Sequence, residues 1–304
     1  MFPSSWTSVL VVISTAAPAQ LYAADVRLDL SARHLGLSTL TGGKTRTFVC
    51  FDGTWQDIRL ECCNTWAAFE IQPDGSMVGV NGKELLVLDP GGHLQTTFPE
   101  PAYGAQITWA RESGMLASVA DHADREWVFQ YWRVGTRRFT IFESIAKNQN
   151  LPPPGDVFPP TTISWSRDGS AIAYSKAGKI FVYTLADRKA LPVTDGTNPA
   201  WSPDGGWIAY RDPNGQASVI TPQGHSAHRV GADTKILRGV RWSPDGQFVL
   251  AAVLRRDMYF DNSTQLLIIR VSDGKMIHVE PLVGGNGTED RVFWVVKRIG
   301  IPAH

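Results

Sequence analysis

Cysteine is scarce in this chain, with Cys50, Cys62 and Cys63 the only three among 304 residues. A small disulfide-stapled scaffold needs many more, and a Cys-Cys pair without a neighbouring His or further Cys is not a zinc pattern. A single bridge from Cys50 to Cys62 or to Cys63 fits an oxidising compartment, and reduced thiols buried in strands fit equally. Charge is also sparse: 19 % of residues are charged against 43 % hydrophobic, which leaves ample material for a core and argues against bulk disorder. Lys plus Arg equals Asp plus Glu at 29 each. The basic excess that phosphate binding requires is missing, so nucleic acid is set aside as a partner. Helical periodicity is absent over any useful window. So are a phosphate loop, a dinucleotide fingerprint and a Gly-x-Ser-x-Gly elbow, and no cofactor is expected. The N-terminal apolar run, Val9 to Ala17, is shorter than the roughly 20 residues that span a bilayer, so no transmembrane span is expected.

That run nevertheless has the shape of an export signal. Leu21-Tyr22-Ala23-Ala24-Asp25 follows it and offers small residues for cleavage after Ala23 or Ala24, although no Lys or Arg precedes Arg27. Residues 1–23 are therefore expected to be a signal peptide and residues 24–304 a single domain, with the mature protein periplasmic or secreted.

What the chain does have is a repeat. Trp201-Ser202-Pro203-Asp204-Gly205 recurs as Trp242-Ser243-Pro244-Asp245-Gly246, and Trp165-Ser166-Arg167-Asp168-Gly169 changes only the proline. Ile71-Gln72-Pro73-Asp74-Gly75 and Trp109-Ala110-Arg111-Glu112-Ser113-Gly114 are weaker copies. The closing glycines are 39, 55, 36 and 41 residues apart, a period near forty with one insertion. Proline presets φ for a tight turn, Asp bonds its own backbone, and Gly takes the positive-φ position. The tryptophan ends the strand before the turn and can pack between sheets. Apolar strands follow, as in Ala171–Tyr174, Trp207–Tyr210 and Phe248–Ala251, and then a second apolar run such as Lys179–Tyr183. Four short strands per forty residues is the arithmetic of a propeller blade.

The stretch Thr194-Asp195-Gly196-Thr197-Asn198-Pro199-Ala200 leading into Trp201-Ser202-Pro203-Asp204-Gly205 resembles the WD-like repeat of the TolB propeller family. The resemblance covers residues 66–283 and is strongest over 161–254. It implies an all-β propeller and leaves function open, because the repeat occurs in binding proteins, peptidase propellers and lyases alike. TolB itself carries an α/β domain before its propeller, which is not expected here, and contacts made through that domain do not carry over.

Five turns give five blades, with first strands near 67–71, 104–110, 161–166, 198–202 and 238–243. Asp290–Val296 reads as one more first strand, and Val26–Leu30, Thr45–Phe51 and Asp57–Cys62 as strands that would complete it. The expected fold is a six-bladed β-propeller closed by pairing of the C-terminal strand with the N-terminal strands; seven blades is the alternative. Strands alternate in direction, so loops after strands one and three share a face, and these are short turns. The long segments fall on the other face: Asp121–Glu126, the proline-rich Glu143–Pro160, Arg255–Thr264 and Gly284–Glu289. Long loops on a rigid scaffold are where function concentrates.

On that face Arg255, Arg256, Asp257, Tyr259 and Phe260 form a charged and aromatic cluster suited to a peptide or an anion, with Phe158 and Arg125 as further contacts. Asp121, His122 and Asp124 are weak candidates for a metal or acid/base site, His225 and His228 weaker ones, and no metal site is assigned. Trp127, Tyr131 and Trp132 fit packing between blades better than a sugar platform. The expected role is a monomeric exported scaffold that binds a protein or peptide, more a binding protein than an enzyme. A metal-assisted polysaccharide lyase or hydrolase and a carbohydrate-binding module are the alternatives. The proposed closure has a direct consequence: removing the last fifteen residues should abolish the cooperative thermal transition, and a truncated chain that melts like the full-length one would contradict it.

Overall fold

The structure is a computed structural model that describes residues 34–41, 44–51, 54–58, 69–71, 76–80, 84–89, 94–99, 104–122, 126–136, 138–146, 162–231, 235–236, 240–257, 261–282 and 291–295. The expected signal peptide, Val26–Leu30, Cys62 and Cys63 lie outside them.

Every regular element among the described residues is a β-strand. The first three are β1 (His34–Thr41), β2 (Lys44–Phe51) and β3 (Thr54–Ile58). Then come β4 (Phe69–Ile71), β5 (Met77–Val80), β6 (Glu84–Leu88) and β7 (Leu94–Pro99), followed by β8 (Gly104–Ala110), β9 (Met115–His122), β10 (Glu126–Arg133) and β11 (Phe139–Ala146). The third set is β12 (Ile163–Trp165), β13 (Ala171–Lys176), β14 (Lys179–Thr184) and β15 (Lys189–Asp195). The fourth is β16 (Thr197–Trp201), β17 (Ile208–Arg211), β18 (Ala217–Ile220) and β19 (His228–Arg229). The last strands are β20 (Arg241–Trp242), β21 (Phe248–Asp257), β22 (Asp261–Arg270), β23 (Met276–Leu282) and β24 (Arg291–Val295).

From β4 onward each run of four strands makes one antiparallel sheet in sequence order, so five blades are each built from one continuous stretch. Five such blades stand where six or seven were expected. A further four-stranded sheet has the order β24-β1-β2-β3 and joins the two ends of the chain. There Leu35 pairs with Trp294 and Leu37 with Val292. Its second strand is His34–Thr41, which the sequence pattern did not single out, because His34-Leu35-Gly36-Leu37-Ser38-Thr39-Leu40-Thr41 lacks the β-branched and aromatic density of the others. Pairing on both edges, with β2 and β24, makes it a strand. The last strand of that sheet, β3, starts at Thr54 and not at Asp57.

The sheets stack face to face, and the core lies between them. Val78, Leu85 and Val87 of one sheet meet Ile107, Leu116 and Trp132 of the next. Met115, Ala117, Val119 and Phe129 meet Ile163, Ile172 and Tyr174. Ala173 and Ile180 meet Ile208, Tyr210 and Ile220, and Ala209 and Val219 meet Val249 and Leu267. A sheet covered on both faces needs apolar residues at every position, which is why these strands read as continuous hydrophobic runs. Within β13, Ile172 and Tyr174 face one neighbour and the smaller Ala173 the other, so large side chains lie against small ones as the period of two requires.

Between the first and second strands, the three strongest repeats build the same bracket. Ser166, Ser202 and Ser243 are almost fully buried. Each serine hydroxyl accepts the amide that opens the next strand, from Ala171, Trp207 and Phe248, at 2.9 Å in all three. Each hydroxyl then donates to the motif aspartate, at 2.7 Å to Asp168 and 2.5 Å to Asp204 and Asp245. The aspartate also accepts the amide two residues on, from Ser170, Gly206 and Gln247. Gly169, Gly205 and Gly246 take φ of 68°, 78° and 70° and donate back to the serine carbonyl. Arg167 occupies the proline position in one copy with no change in these bonds, so the proline is dispensable.

Serine hydroxyls and backbone amides hold the carboxyls of Asp168 and Asp204 below their ordinary value of 3.8. A carboxyl lowered on folding adds stability that is complete above its ordinary value and is lost as pH falls through the lowered one. The bracket makes one contrast testable. Ser243→Ala strands a buried amide and should cost about 1–3 kcal/mol in urea unfolding, whereas Pro203→Arg should fall within about 0.5 kcal/mol. Equal losses would contradict the assignment.

Candidate functional site

Antiparallel order places the links after first and third strands on one face of the molecule. Among the described residues these are the bracket turns and tight connections such as those at 134–138 and 185–188. The opposite face receives the links after second and fourth strands, where the long segments enter.

On this opposite face the blades are clasped at their rims. Tyr174 on β13 is fully buried, and its hydroxyl donates to Glu143 on β11 of the preceding sheet at 3.1 Å. Lys176 donates to the same carboxylate at 2.9 Å, as does the Ser144 amide at 3.0 Å. Burial, reinforced by Glu143, pushes the Tyr174 phenol far above its usual range, so it stays protonated. A carboxylate held by three donors beside a phenol that does not ionise is a tether more than an acid/base pair. It fixes the end of β11, from which the proline-rich segment departs. Tyr210 occupies the matching place one repeat later and bonds Thr194. There a Cβ on Gly196 would stand 2.6 Å from the Tyr210 ring, so only glycine allows the approach. Around the Tyr174 ring, Phe129, Phe142, Phe181 and Tyr183 form a cluster whose paired centroids are 4.6–5.9 Å apart.

The stretch Arg255–Thr264, expected as a loop, is a hairpin. β21 and β22 pair continuously from Phe248↔Arg270 to Asp257↔Asp261. Among the described residues, β20 pairs with β21 at Val249 and Leu250, and β23 pairs with β22 from Ile269 to Thr264. The last three pairs of the hairpin, Arg255↔Ser263, Arg256↔Asn262 and Asp257↔Asp261, lie beyond those described pairings. Tyr259, Phe260, Phe158, Arg125 and Asp124 lie outside the described residues. Asp121 and His122 are the closing positions of β9, paired with Trp127 and Glu126, and not loop residues.

Trp132 is buried between sheets, and Trp127 and Tyr131 pack against the adjoining core, which is the packing role expected of them. His228 stands edge-on to Trp207 at 5.3 Å, on the face of the bracket turns. Among the described residues no group of three His, Cys, Asp or Glu side chains is placed to hold a metal.

Sequence reasoning passed over Glu143, Tyr174 and Lys176, and also Glu70 and Arg241 in the first strands. A signal for each existed. Tyr174 and Tyr210 fall at the same place in their repeats. Arg241 stands immediately before a motif tryptophan, where other copies have Thr108, Ser164 and Ala200.

No family model matches the chain, and no curated protein matches it in sequence. Solved structures do. TolB from Acinetobacter baumannii superposes with a TM-score of 0.60 at 16 % identity, over 88 % of this chain and 68 % of that one. The fold is a TolB-like β-propeller. A protein assigned as TolB in Agrobacterium tumefaciens gives 0.56 at 14 % identity, over 86 % of this chain and 97 % of its own. One assigned as a 6-phosphogluconolactonase in Bacteroides fragilis gives 0.50 at 12 %, over 86 % and 84 %. Identities this low establish the shared TolB-like architecture and nothing of its chemistry. No helix among the described residues is long and apolar enough to cross a membrane.

Proposed function

We propose that this TolB-like propeller is an exported scaffold that holds a protein or peptide partner on the face opposite its bracket turns. The β21–β22 hairpin carries this reading: its strands pair through Arg255, Arg256 and Asp257, and the chain runs from there into Tyr259 and Phe260. In sequence, the proline-rich segment with Phe158 follows the end of β11 that Glu143 clasps. Arginine forks and aromatic rings on a rigid support are the usual anchors of a peptide interface. A periplasmic or secreted location follows from the signal-like N-terminus, and the protein acts as a monomer.

The sheet of both chain ends is the sixth blade in this reading and closes the ring. β24 packs against β20 and β21 of the preceding sheet, as a next first strand would, and this supports the reading. A closed ring leaves no open side on which neighbouring chains could add.

Capture from an envelope extract tests the binding role. The Arg255→Ala/Arg256→Ala double variant should keep the wild-type melting temperature and retain at least about tenfold less of the captured partner, as loss of charge-assisted contacts implies. Undiminished capture would contradict the assignment of the hairpin.

A further inference from the structure

Among the described residues, β3, β7, β11, β15, β19 and β23 each end a sheet, with a partner strand on one side only. A free strand edge offers a row of unpaired N–H and C=O groups to any extended chain, and proteins blunt such edges with proline, charge or brevity. Five of these six strands are blunted in that way. β7 carries Pro99, β15 Pro192 and β23 Pro281. β19 is two residues long, and β3 is five residues with Asp57 among them.

β11 is the exception. It runs for eight residues, Phe139–Ala146, with no proline, lysine or arginine. Its one charge, Glu143, is taken up by Tyr174 and Lys176 of the next blade and does not guard the edge. Ile141 pairs with Gln130 and Glu143 with Phe129, which leaves Phe142 as the extra residue of a bulge. Phe142 and Ile145 pack against the core shared with β13. Phe139 and Ile141, two positions apart, stand on one face of the strand and are 41 % and 50 % exposed. The other exposed large apolar side chains among the described residues, Leu94 and Leu191, occur singly on the proline-bearing β7 and β15.

A cation stands at the start of this strand. Arg138 is exposed, and among the described residues its guanidinium has no hydrogen bond or ion pair. Arg133, one position past the Trp132↔Phe139 pair, is exposed too and commits one nitrogen to the Ser113 carbonyl at 3.1 Å.

We propose that the outer edge of β11 docks an extended segment of a partner protein as a fifth strand, its apolar residues over Phe139 and Ile141 and a carboxylate on Arg138. In strand addition the main chain supplies affinity and alternate side chains supply specificity. Charge selects the occupant. A second copy of this chain, paired antiparallel along the whole of β11, would set Arg138 against Lys147 of the other copy, and like charges placed opposite oppose pairing. An antiparallel segment that ends in a carboxylate meets Arg138 with the right sign. The Glu143 clasp already ties β11 to the next blade, so little order is lost on docking. This edge rests on neither the β21–β22 hairpin nor closure of the ring.

Fluorescence polarisation of the full chain with labelled, end-capped Thr-Val-Thr-Val-Thr-Val-Glu, and with the same peptide ending in Lys, tests it. The Glu peptide should bind saturably and about threefold or more tighter than the Lys peptide. N-methylation of alternate residues should abolish binding, because it removes the donors that pair with the edge. Arg138→Glu should reverse the preference between the two peptides, and Ile141→Lys should weaken both about fivefold. Should Ile141→Lys fail to fold, the reversal in Arg138→Glu decides alone. The Arg255→Ala/Arg256→Ala variant should bind as the wild type does, which separates this edge from the proposed face. No saturable binding of either peptide, binding that survives N-methylation, or an unchanged preference in Arg138→Glu would overturn the proposal. So would a concentration-dependent dimer in sedimentation that Ile141→Lys abolishes, since the edge would then belong to a second copy.

Discussion

Each blade must end its first strand and begin its second within about five residues, on the inner side of a stack in which both sheet faces are covered. An amide stranded there costs about 1–3 kcal/mol, because no water reaches it and no strand pairs with it. The serine of the motif removes that cost. Its hydroxyl accepts the amide of Ala171, Trp207 or Phe248 and passes its own proton to the aspartate, whose charge is in turn held by a backbone amide. One buried side chain of two heavy atoms beyond Cα thus ties turn, strand and carboxylate together. Everything outward in the blade follows from that start: second and third strands in the packed layer, a fourth at the rim.

Packing between blades then depends on alternation. A strand two residues wide in its pattern can present Ile172 and Tyr174 to one neighbour and Ala173 to the other, and the sheets close-pack without a separate core. Polar ties reinforce the stack. Between first strands, the Ser164 hydroxyl accepts the Trp201 amide and Trp242 donates to the Ala200 carbonyl, while farther out Tyr174 reaches back to Glu143.

Much of this was legible because the repeat states its own geometry. Pro-Asp-Gly turns, the strands after them and the first strands before them fall where the motif puts them. The reading was less complete where chemistry is shared between distant residues. Ser166, Ser202 and Ser243 are conspicuous in the motif, but nothing in a sequence says that a hydroxyl will meet an amide five residues on. His34–Thr41 forms a strand only because β2 and β24 flank it, a non-local cause. Arg255–Asp257 have the polarity of a loop, and a polar hairpin has no apolar face to betray it.

The central claim is that the serine bracket is the anchor of the three blades that carry it, and native-state hydrogen exchange tests it most directly. The amides of Ala171, Trp207 and Phe248 should exchange only through global unfolding, with opening free energies equal to that of the whole domain, while amides of the rim strands β11 and β15 open more easily. Exchange at Ala171, Trp207 and Phe248 as fast as at the rim would contradict the account.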